Sequence, residues 1–568
     1  MYDYGPYGCA LQNNLYDLWR KFFVLEEEML EIDSTILTPH DVLKTSGHVD
    51  RFEDYMVTDV ETGDLQRADH LVEARLEDMI SESEDATLKS ELNTILAKLD
   101  GFQDKELNEV IKKYSLKSDG GNDVSAVVRF NLMFKTSIGP KGNLQGYLRP
   151  ETAQGHFVNF KKLLDVNNGK LPFASAQIGK SFRNEISPNK GLLRVREFTM
   201  AEIEHFCHPD RKDHPKFVNV KSVKMSLLTA DTQVSGSKAL KECTIGEAVK
   251  QGMVDNETLG YYMARVFLFL TKIGIAPSRL RFRQHMSTEM AHYANDCWDA
   301  EIHTSFGWIE CVGNADRSCY DLTRHTEVTG EKLCVRETLP EAVIVAEEEI
   351  QINSGAIGKK FRGEAKAIRS HLEKMSFDEM RELCSGTRNI LLSDKEFHVS
   401  PEMVKIETVT RKKHVNEFIP SVIEPSFGFG RILYSLLEHS FSTRPEDVQR
   451  SVLSFPTCMS PVKVWILPLQ SGDDFTPLVQ ELVQSMKREG MTVRYDSGNV
   501  SIGKRYARYD EIGVSFCVTV DFDSVKNRDV TVRERDSMQQ IRIPVDGASE
   551  MIRDLINGKL QWSNVMKD

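Results

Sequence analysis

The sequence has no pair of cysteines spaced as CxxC, although ten cysteines are scattered along its 568 residues. A structural zinc site or a disulfide framework is therefore not expected, and reduced thiols in a reducing compartment are the simpler interpretation. No run reaches the ~18 apolar residues of a membrane span. The best candidate, Tyr261 to Ile275, is interrupted by Arg265 and Lys272. With no basic-then-apolar signal at the N-terminus, we expect an intracellular protein with no membrane partner.

An excess of basic charge is also missing. The chain has 72 basic and 85 acidic residues, which give a formal charge of −13, and it is 40% hydrophobic. A protein that coats nucleic acid non-specifically should be basic, so any contact with nucleic acid here must use a local patch. At roughly 150 residues per domain, the length predicts about three to four folded domains.

The pattern of apolar residues changes several times along the chain. Short apolar runs between turn residues predict an antiparallel sheet from 126 to 206, and helical spacing dominates 208–283. Residues 325–415 are charged and irregular, which indicates an inserted module. After a linker marked by Pro456 and Pro461, strand and helix patterns alternate as in a small α/β domain.

Two glycine-containing segments look like nucleotide-binding loops but lack a required residue. Gly179-Lys180-Ser181 matches the end of a phosphate-binding P-loop, yet Ala174 stands where that loop needs glycine. Gly428-Phe429-Gly430 could begin a dinucleotide fingerprint, yet Leu433 stands in place of its last glycine. A nucleotide must therefore be held in some other way.

The most informative segment runs from Phe182 to Glu202. We expect two strands around a loop, with alternate side chains on one face of the sheet. The residues on that face are Arg183 and Glu185 in the first strand and Arg194, Arg196 and Phe198 in the second. Arginines, a carboxylate and an aromatic ring can hold phosphates and stack a base. A cross-strand network of salt bridges explains the same residues, so the pattern alone leaves both interpretations open.

This segment and two others resemble the signature motifs of class II aminoacyl-tRNA synthetases. Arg183-Asn184-Glu185 with Arg196-Glu197-Phe198 resembles motif 2, Glu424 to Arg431 resembles motif 3, and Leu30 to Pro39 resembles motif 1. The closer resemblance is to the homodimeric glycine-specific family and its eukaryotic branch. The segments that carry it are Tyr2-Asp3-Tyr4-Gly5-Pro6, Lys44 to Asp50, Phe134-Lys135-Thr136, Arg149 to Gly155, Asp316 to Leu322 and Glu424-Pro425-Ser426.

The resemblance implies an α+β fold, with a class II synthetase antiparallel-sheet catalytic domain, helical or mixed insertions, and a C-terminal α/β anticodon-binding domain. It implies a glycine–tRNA ligase, in which the glycine carboxylate attacks the α-phosphate of ATP and the glycyl group then passes to tRNA(Gly). Mg²⁺ is the implied cofactor, and the implied partners are ATP, glycine, tRNA(Gly) and a second copy of the chain.

The same resemblance implies the domain boundaries. They are 1–65 for the first catalytic part with motif 1, 66–125 for a first insertion, 126–206 for the catalytic part with motif 2, 207–283 for a helical insertion, 284–324 for further catalytic strands, 325–415 for a third insertion, 416–460 for the part with motif 3, and 461–568 for the anticodon-binding domain.

Roles for individual residues also follow from the resemblance. Arg183 and Arg431 are the implied catalytic residues, and Glu310 is the expected metal ligand because Mg²⁺ prefers oxygen ligands. The implied ATP-binding residues are Arg183, Asn184, Glu185, Arg194, Val195, Phe198, Glu310, Cys311 and Arg431. The implied glycine-binding residues are Glu151, Arg183, Glu202, Glu424, Pro425 and Ser426. No editing site is expected, because glycine is the smallest amino acid and size alone excludes the others.

The segment from Ser501 to Tyr509 interleaves basic and aromatic side chains, which suits contact with single-stranded bases. We therefore expect Lys504, Arg505 and Arg508 to contact tRNA, and a solvated helix face remains an equal alternative. The same two interpretations hold for Arg533 and Arg535, which lie further along the chain.

Two rival functions deserve comparison. A non-enzymatic, nucleic-acid-binding relative of the synthetases would be expected to lose the motif arginines Arg183 and Arg431, and both are present. A synthetase for another amino acid is disfavoured by the acidic pocket residues and by Glu424-Pro425-Ser426. We expect a cytoplasmic protein and leave a mitochondrial form open.

Overall fold

The structure is a computed structural model that describes residues 3–96, 98–186, 188, 191–375, 377–386, 388–392 and 395–566. The predicted loop between the motif 2 strands lies partly outside these residues, at 187, 189 and 190. The chain divides into two compact units. One combines the chain up to Leu333 with the chain from Ile419 onward, and the other is Cys334–Phe418.

Up to Leu333 the chain mixes strands and helices. The strands are β1 (Leu30–Glu31), β2 (Leu37–Pro39), β3 (Glu53–Thr58), β4 (Leu65–Arg67), β5 (Val128–Asn131), β6 (Phe134–Ile138), β7 (Leu144–Leu148), β8 (Phe173–Phe182), β9 (Glu197–Cys207), β10 (Lys224–Leu228), β11 (Lys241–Thr244), β12 (Leu280–Gln284), β13 (Asp296–Thr304) and β14 (Gly307–Ser318). The α-helices are α1 (Pro6–Trp19, continued by a π-helix over Arg20–Leu25), α2 (His40–Thr45), α3 (His48–Arg51), α4 (Ala68–Glu82), α5 (Ala86–Leu96), α6 (Asp104–Tyr114), α7 (Ala153–Val158), α8 (Phe160–Val166), α9 (Ala230–Val234), α10 (Ile245–Lys250), α11 (Glu257–Lys272) and α12 (Tyr320–Thr329).

In its described residues, the second unit contains two antiparallel strand pairs and three α-helices. Its elements are β15 (Val335–Ile352), α13 (Ser354–Phe361), α14 (Ala365–Leu372), α15 (Phe377–Ser385), β16 (Arg388–Leu392), β17 (Lys395–Val399) and β18 (Val404–Phe418). Strand β15 pairs with β18, and β16 pairs with β17. The charged sequence of 325–415 predicts an inserted module but does not predict the long β15–β18 pair. The two strands are separated in sequence by the three helices, so local patterning does not reveal that they pair.

From Ile419 onward the chain first completes the sheet of the first part and then forms a C-terminal α/β region. The strands are β19 (Ser421–Gly428), β20 (Phe441–Arg444), β21 (Asp447–Leu453), β22 (Val464–Pro468), β23 (Val493–Tyr495), β24 (Phe516–Val520), β25 (Asp529–Glu534) and β26 (Gln540–Pro544). The helices are α16 (Phe429–Ser440), α17 (Thr476–Arg488), α18 (Ile502–Glu511), α19 (Phe522–Asn527), α20 (Val545–Ile556) and α21 (Trp562–Val565). The C-terminal sheet has the order β23-β22-β24-β25-β26.

The main sheet has nine strands in the order β1-β8-β9-β19-β14-β13-β12-β10-β11. The strands from β8 to β12 in this order pair antiparallel, and only β1–β8 and β10–β12 are parallel. One face of the sheet packs on α1, α11 and α16 through a core that includes Trp19, Phe269 and Phe427. The antiparallel main sheet and the C-terminal α/β region confirm the predicted α+β class.

Range 207–283 differs from the predicted helical insertion. Besides its helices it contributes β10, β11 and β12, all of which belong to the main sheet. The Gly179-Lys180-Ser181 triplet lies inside β8, so it forms no phosphate loop. A Cβ added at Gly179 would lie 2.2 Å from Arg149 Nη2, which explains the glycine by close packing. Among the described residues, no helix is both long and apolar enough to cross a membrane.

Candidate active site

The site lies on the face of the main sheet opposite the helical core. Along β9 the side chains of Ala201 and Ile203 enter that core. Because side chains alternate along a strand, Phe198, Glu202 and Glu204 lie on the opposite face. Strand β19, which carries the motif 3 segment, is the neighbour of β9 and pairs Ser426 with Glu202. Two motifs far apart in the sequence therefore meet on one surface.

A cleft of about 620 Å³ opens on this surface, lined by residues from both motifs. Eight of the nine predicted ATP-binding residues line it: Arg183, Glu185, Arg194, Val195, Phe198, Glu310, Cys311 and Arg431. The ninth, Asn184, is not part of the lining, and its backbone N–H donates to Leu132 O at 2.6 Å. The structure therefore brings the predicted nucleotide residues together with one exception.

Two arginines and one aromatic ring shape the cleft. The guanidinium carbon of Arg183 lies 5.4 Å from the ring centre of Phe198 and 5.2 Å from that of Phe52. Arg431 Nε donates to Leu193 O at 3.2 Å and its Nη1 donates to Glu310 O at 2.9 Å. These contacts hold both guanidinium groups in place, so positive charge is fixed at the cleft before any anion binds.

Arg194 lies among other charged groups at the edge of the cleft. Its Nη1 is 3.4 Å from His70 Nε2, a residue of α4. Burial lowers the pKa of Arg194, and the nearby positive charges of Arg67 and Arg431 lower it further. Neighbouring guanidinium groups repel one another, so this edge favours a ligand with several negative charges.

The backbone of motif 2 differs from the predicted pair of strands. Strand β8 ends at Phe182 and β9 begins at Glu197, so Arg183, Glu185, Arg194 and Arg196 lie outside the strands. Arg183 N–H still donates to Arg196 O at 3.0 Å, and Arg196 donates to Glu185 O at 3.0 and 3.1 Å. The prediction that these residues lie in strands was wrong, because the β8–β9 ladder ends at the pair Phe182–Glu197. Beyond that pair, the Arg196 side chain takes over and bonds the backbone carbonyl of Glu185.

Cys311 contributes to the cleft by its position in β14 and not by its thiol. Its side chain is buried, with Sγ 3.3 Å from Ile309 O and 3.8 Å from Ser435 Oγ. Burial raises the pKa of the thiol to about 12. A neutral buried thiol of this kind packs and does not react.

Next to the cleft lies an acidic pocket centred on Glu202. Glu202 Oε2 accepts hydrogen bonds from the backbone N–H and the hydroxyl of Thr152, each at 2.6 Å. Its Oε1 accepts from Ser426 Oγ at 2.9 Å. Ser426 also lines the cleft, so this acidic group of side chains adjoins the cleft at Ser426.

The other predicted glycine-binding carboxylates surround Arg317. Glu424 Oε2 accepts from Arg317 Nη1 at 2.8 Å, and Pro425 follows it in β19. Glu151 Oε2 is 3.1 Å from His48 Nε2, and its Oε1 is 3.8 Å from Arg317 Nη2. The structure thus brings Glu151, Glu202, Glu424 and Ser426 close together, around Arg317 and Thr152.

The electrostatics of this pocket are those of crowded buried acids. Burial raises the pKa of Glu202, and the nearby charge of Glu151 raises it further. For Glu151, burial is outweighed by His48 and Arg317, and the pKa is lowered. Burial lowers the pKa of Arg317, but the surrounding acids outweigh it and raise that pKa well above its usual value. The pocket therefore holds more acidic groups than basic ones and favours a cationic ligand.

Several residues of the pocket had no role assigned from the sequence. Arg317 is 1% exposed and also donates to Asp321 Oδ2 at 2.8 Å. Thr152 and His48 hold two of the acids through the contacts above. All three residues lie in segments that carry the family resemblance. Arg317 and Asp321 are four residues apart at the end of an apolar strand. That spacing was the sequence signal that they could form an ion pair.

The predicted tRNA-binding residues of α18 do not share one environment. Lys504 and Arg508 are exposed. Arg505 is fully buried and donates to the backbone oxygens of Pro468, Leu469 and Asp496. The prediction that Arg505 contacts tRNA was therefore wrong: its guanidinium is used to hold the ends of neighbouring strands.

The aromatic residues of α18 are also internal. Tyr506 OH lies 2.6 Å from Thr519 Oγ1, and the ring of Tyr509 stacks on Trp465 at 4.1 Å. Arg533 and Arg535 are buried as well. Arg533 forms two hydrogen bonds with Asp510, and Arg535 Nη2 donates to Phe455 O at 2.6 Å. Both side chains are therefore neither solvated nor available to tRNA, and each stabilises the packing around it.

Two regions of the chain match known families. Residues 134–440 match the tRNA synthetase class II core domain (G, H, P, S and T). Residues 463–555 match an anticodon binding domain. The first match includes the cleft and the acids Glu151, Glu202 and Glu424, and the second falls on the C-terminal α/β region.

Relatives match over nearly the whole chain. Glycine–tRNA ligase 1, mitochondrial, of Saccharomyces cerevisiae is 50% identical over 610 residues, with 100% of this chain and 88% of that protein covered. Glycine–tRNA ligase of Drosophila melanogaster is 52% identical, with 99% and 75% covered. Glycine–tRNA ligase of Methanocaldococcus jannaschii is 42% identical, with 97% and 94% covered. The resemblance predicted from the motifs is confirmed, and the chain belongs to the glycine–tRNA ligase family of class II aminoacyl-tRNA synthetases.

Proposed function

We propose that the chain activates glycine with ATP and transfers the glycyl group to tRNA(Gly), with the cleft and the acidic pocket as its active site. The observation that carries the proposal is their junction at Ser426, which lines the cleft and donates to Glu202 in the pocket. An anion-binding cleft beside a cation-binding pocket suits ATP beside the zwitterion of an amino acid.

In the first step a carboxylate oxygen of glycine attacks the α-phosphorus of ATP. The new P–O bond forms as the bond to the bridging oxygen breaks, and pyrophosphate leaves with the electron pair. In the second step a terminal ribose hydroxyl of tRNA attacks the glycyl carbonyl and gives up its proton, and AMP leaves. Neither step requires a protein nucleophile, so catalysis rests on positioning and on stabilising charge.

The cleft residues supply that positioning. Arg183 contacts both the glycine carboxylate and the α-phosphate, and Phe198 and Arg431 enclose adenine from its two faces. Glu185 accepts from the exocyclic amine of adenine, and Arg194 reaches the outer phosphates. Asn184, Val195 and Cys311 take part through the backbone that surrounds the nucleotide.

The pocket selects glycine by charge and by lack of space. Glu151, Glu202 and Glu424 direct acceptors at the ammonium group, with Ser426 and Pro425 beside them in β19. A substrate methyl group has to displace rigidly bonded side chains, and overpacking of that kind costs about 1–3 kcal/mol. No second, hydrolytic site is required for discrimination.

Mg²⁺ fits the edge of this cleft. The carboxylate of Glu310 is partly exposed there, with Oε2 3.5 Å from Arg431 Nη1, and an oxygen ligand is what this hard cation prefers. Glu310 would hold the ion. When bound, the ion offsets the negative charge of the triphosphate.

Three further proposals concern partners and location. The exposed Lys504 and Arg508 contact tRNA. The chain forms a homodimer through the motif 1 region, where Ile36 and Leu37 are 37% and 40% exposed. Val158 of α7, which lines one cavity with Thr35 and Thr38, is 51% exposed. Exposed apolar groups of this kind are often covered by a partner. The protein acts in the cytoplasm, with a mitochondrial form left open by the relative named mitochondrial.

Exchange of labelled pyrophosphate into ATP tests the activation step directly. We expect exchange with glycine and none with alanine or serine, and we expect Arg183→Ala to abolish it. Arg324→Ala is the matched control, because Arg324 is exposed in α12 and pairs only with Glu327 among the contacts described. Absence of exchange with any amino acid in a folded, nucleic-acid-binding sample would favour a non-enzymatic relative instead.

A further inference from the structure

Glu204 is a buried acid for which the proposed reaction has no role. It follows Glu202 by two residues in β9 and is 0% exposed. Neither carboxyl oxygen has a hydrogen-bond partner among the described residues. One carboxylate oxygen from each of Glu202, Glu204 and Glu424 lies within 4.8 Å of the other two. An unpaired buried carboxylate is strongly unfavourable, so this group requires an explanation.

The strand register places Glu204 directly against Glu424. Strand β9 pairs Phe206 with Val422 and Glu202 with Ser426. In an antiparallel ladder this register puts Glu424 opposite Glu204. Two like charges directly opposite each other destabilise a sheet, and two carboxylates that share a site cannot both ionise freely. One of the two must therefore carry a proton.

The surrounding charges decide which acid is protonated. Arg317 of β14 donates to Glu424 and also to Asp321 of α12, so Glu424 has a cationic partner. Among the described residues Glu204 has no hydrogen-bonded cation, and Glu202 is the other acid beside it. Burial raises the pKa of Glu204 well above its ordinary value and raises the pKa of Glu424 to about 8, and Arg317 opposes both shifts. Glu424 therefore needs a further hydrogen-bond donor to stay ionised at neutral pH. On the β8 side the residue opposite Glu204 is Ser175, whose Oγ is 2.6 Å from His156 Nδ1. Burial lowers the pKa of His156 to about 3, so that ring is uncharged near neutral pH.

We propose that Glu204 is an uncharged carboxylic acid that donates a hydrogen bond to Glu424 and so keeps Glu424 an ionised acceptor for the ammonium group of glycine. One carboxyl oxygen of each acid lies within 4.8 Å of the other, a distance that a small side-chain rotation or one bridging water would close. Glu204 is then a positioning residue, because it acts on the substrate through Glu424. The inference rests on the proposed glycine pocket.

Infrared spectroscopy of the free enzyme tests the protonation state without any substrate. At pH 7 we expect the spectrum of the parent protein minus that of Glu204→Gln to contain the carbonyl stretch of a protonated carboxylic acid. Carboxylate bands in its place would show that Glu204 is ionised and would overturn the proposal. This readout is independent of the glycine pocket, since glycine is absent.

The pH profile of kcat/KM for glycine tests the hydrogen bond to Glu424. Gln retains an N–H donor, so Glu204→Gln should keep KM within about threefold and leave the acidic limb in place. Leu removes the donor, so Glu204→Leu should raise KM about tenfold and move the acidic limb up by about one pH unit, because a hydrogen bond to a charged group is lost. A shift to lower pH in both variants would indicate relief of charge repulsion and would refute the proposal.

Further outcomes distinguish a failure of the proposal from a folding defect and from a wrong pocket assignment. If Glu204→Leu does not fold, the infrared band and the pH profile of Glu204→Gln decide whether Glu204 is a protonated donor. A Glu204→Leu enzyme that melts at a lower temperature with an unchanged pH profile has lost only packing, which also contradicts the proposal. Glu202→Gln tests the pocket itself: an unchanged KM for glycine in that variant would refute the pocket assignment, whatever the state of Glu204.

Discussion

Arg317 Nη1 donates a 2.8 Å hydrogen bond to Glu424 Oε2, and the two side chains are 1% and 6% exposed. The same guanidinium lies 3.9 Å from the ring centre of Tyr293 and bonds to Asp321. A single buried cation therefore orders acids from β19 and α12 behind the proposed glycine pocket. The arrangement depends on Arg317 more than on any one of the acids.

Arg317→Met is expected to destabilise the protein strongly. The substitution leaves Glu424 and Asp321 buried without a cationic partner, and breaking a buried pair in this way costs about 3–5 kcal/mol. Urea unfolding followed by fluorescence measures the loss. Arg324→Met, an exposed arginine of the adjoining helix α12, is the matched control and should change the free energy of unfolding by less than about 1 kcal/mol. Equal effects of the two substitutions would refute the role given to Arg317.

Glu202→Gln is expected to weaken glycine binding while the fold is retained. The amide keeps the size of the side chain and an acceptor for Thr152, but it removes the negative charge that faces the ammonium group. A hydrogen bond to a charged group contributes about 1.5–3 kcal/mol, so KM for glycine should rise about tenfold or more. Pyrophosphate exchange at varied glycine measures this, with KM for ATP as the internal control. A rise in KM for ATP alone would place Glu202 in the other cavity.

The motif resemblance grouped the residues that line the cleft, and it grouped the acidic network only in part. Arg183, Phe198 and Arg431 belong to short motifs, so a local resemblance was enough to group them. Arg317 was given no role, because its partner Glu424 lies on another strand and becomes a neighbour only when β19 pairs with β14. Contacts between distant segments are set by sheet order, which a local pattern does not contain.

The environment of Arg505 could have been predicted. Ile502, Arg505, Tyr506 and Tyr509 follow the spacing of the inner face of an amphipathic helix. The structure buries three of the four and leaves Lys504 and Arg508 outside. The prediction for Arg505 rested on the basic and aromatic composition of α18. Composition does not specify which face of a helix is exposed, whereas the helical period does.

Two buried histidines should make stability fall in acid. Burial lowers the pKa of His156 and of His205 to about 3, against an ordinary value of 6.5. Between these values the unfolded chain binds protons that the folded chain does not, so the free energy of unfolding should decrease as pH falls from about 6.5 towards 3. Each histidine contributes a slope of about 1.4 kcal/mol per pH unit in that window.

Urea unfolding at a series of pH values measures that slope. His205→Asn should reduce the slope of unfolding free energy against pH by the contribution of one proton. The variant has no imidazole to protonate at this position in the unfolded chain. His303→Asn is the matched control, since His303 is exposed, and it should leave the slope unchanged. A slope that is the same in the parent protein and in His205→Asn would contradict the prediction.

Substitutions at the three basic residues of α18 should have two different effects: at Lys504 and Arg508 on tRNA binding, and at Arg505 on stability. Lys504→Ala and Arg508→Ala remove exposed charge, so each should raise KM for tRNA(Gly) severalfold, more at low salt, and leave pyrophosphate exchange unchanged. Arg505→Ala leaves the carbonyl oxygens of Pro468, Leu469 and Asp496 without their donor, so it should lower the melting temperature of the C-terminal region. Lys526→Ala, an exposed lysine of α19, is the control for general charge. Equal KM values for Lys504→Ala, Arg508→Ala and Lys526→Ala would place the tRNA contact on another face, because a specific contact must exceed the effect of one distant charge.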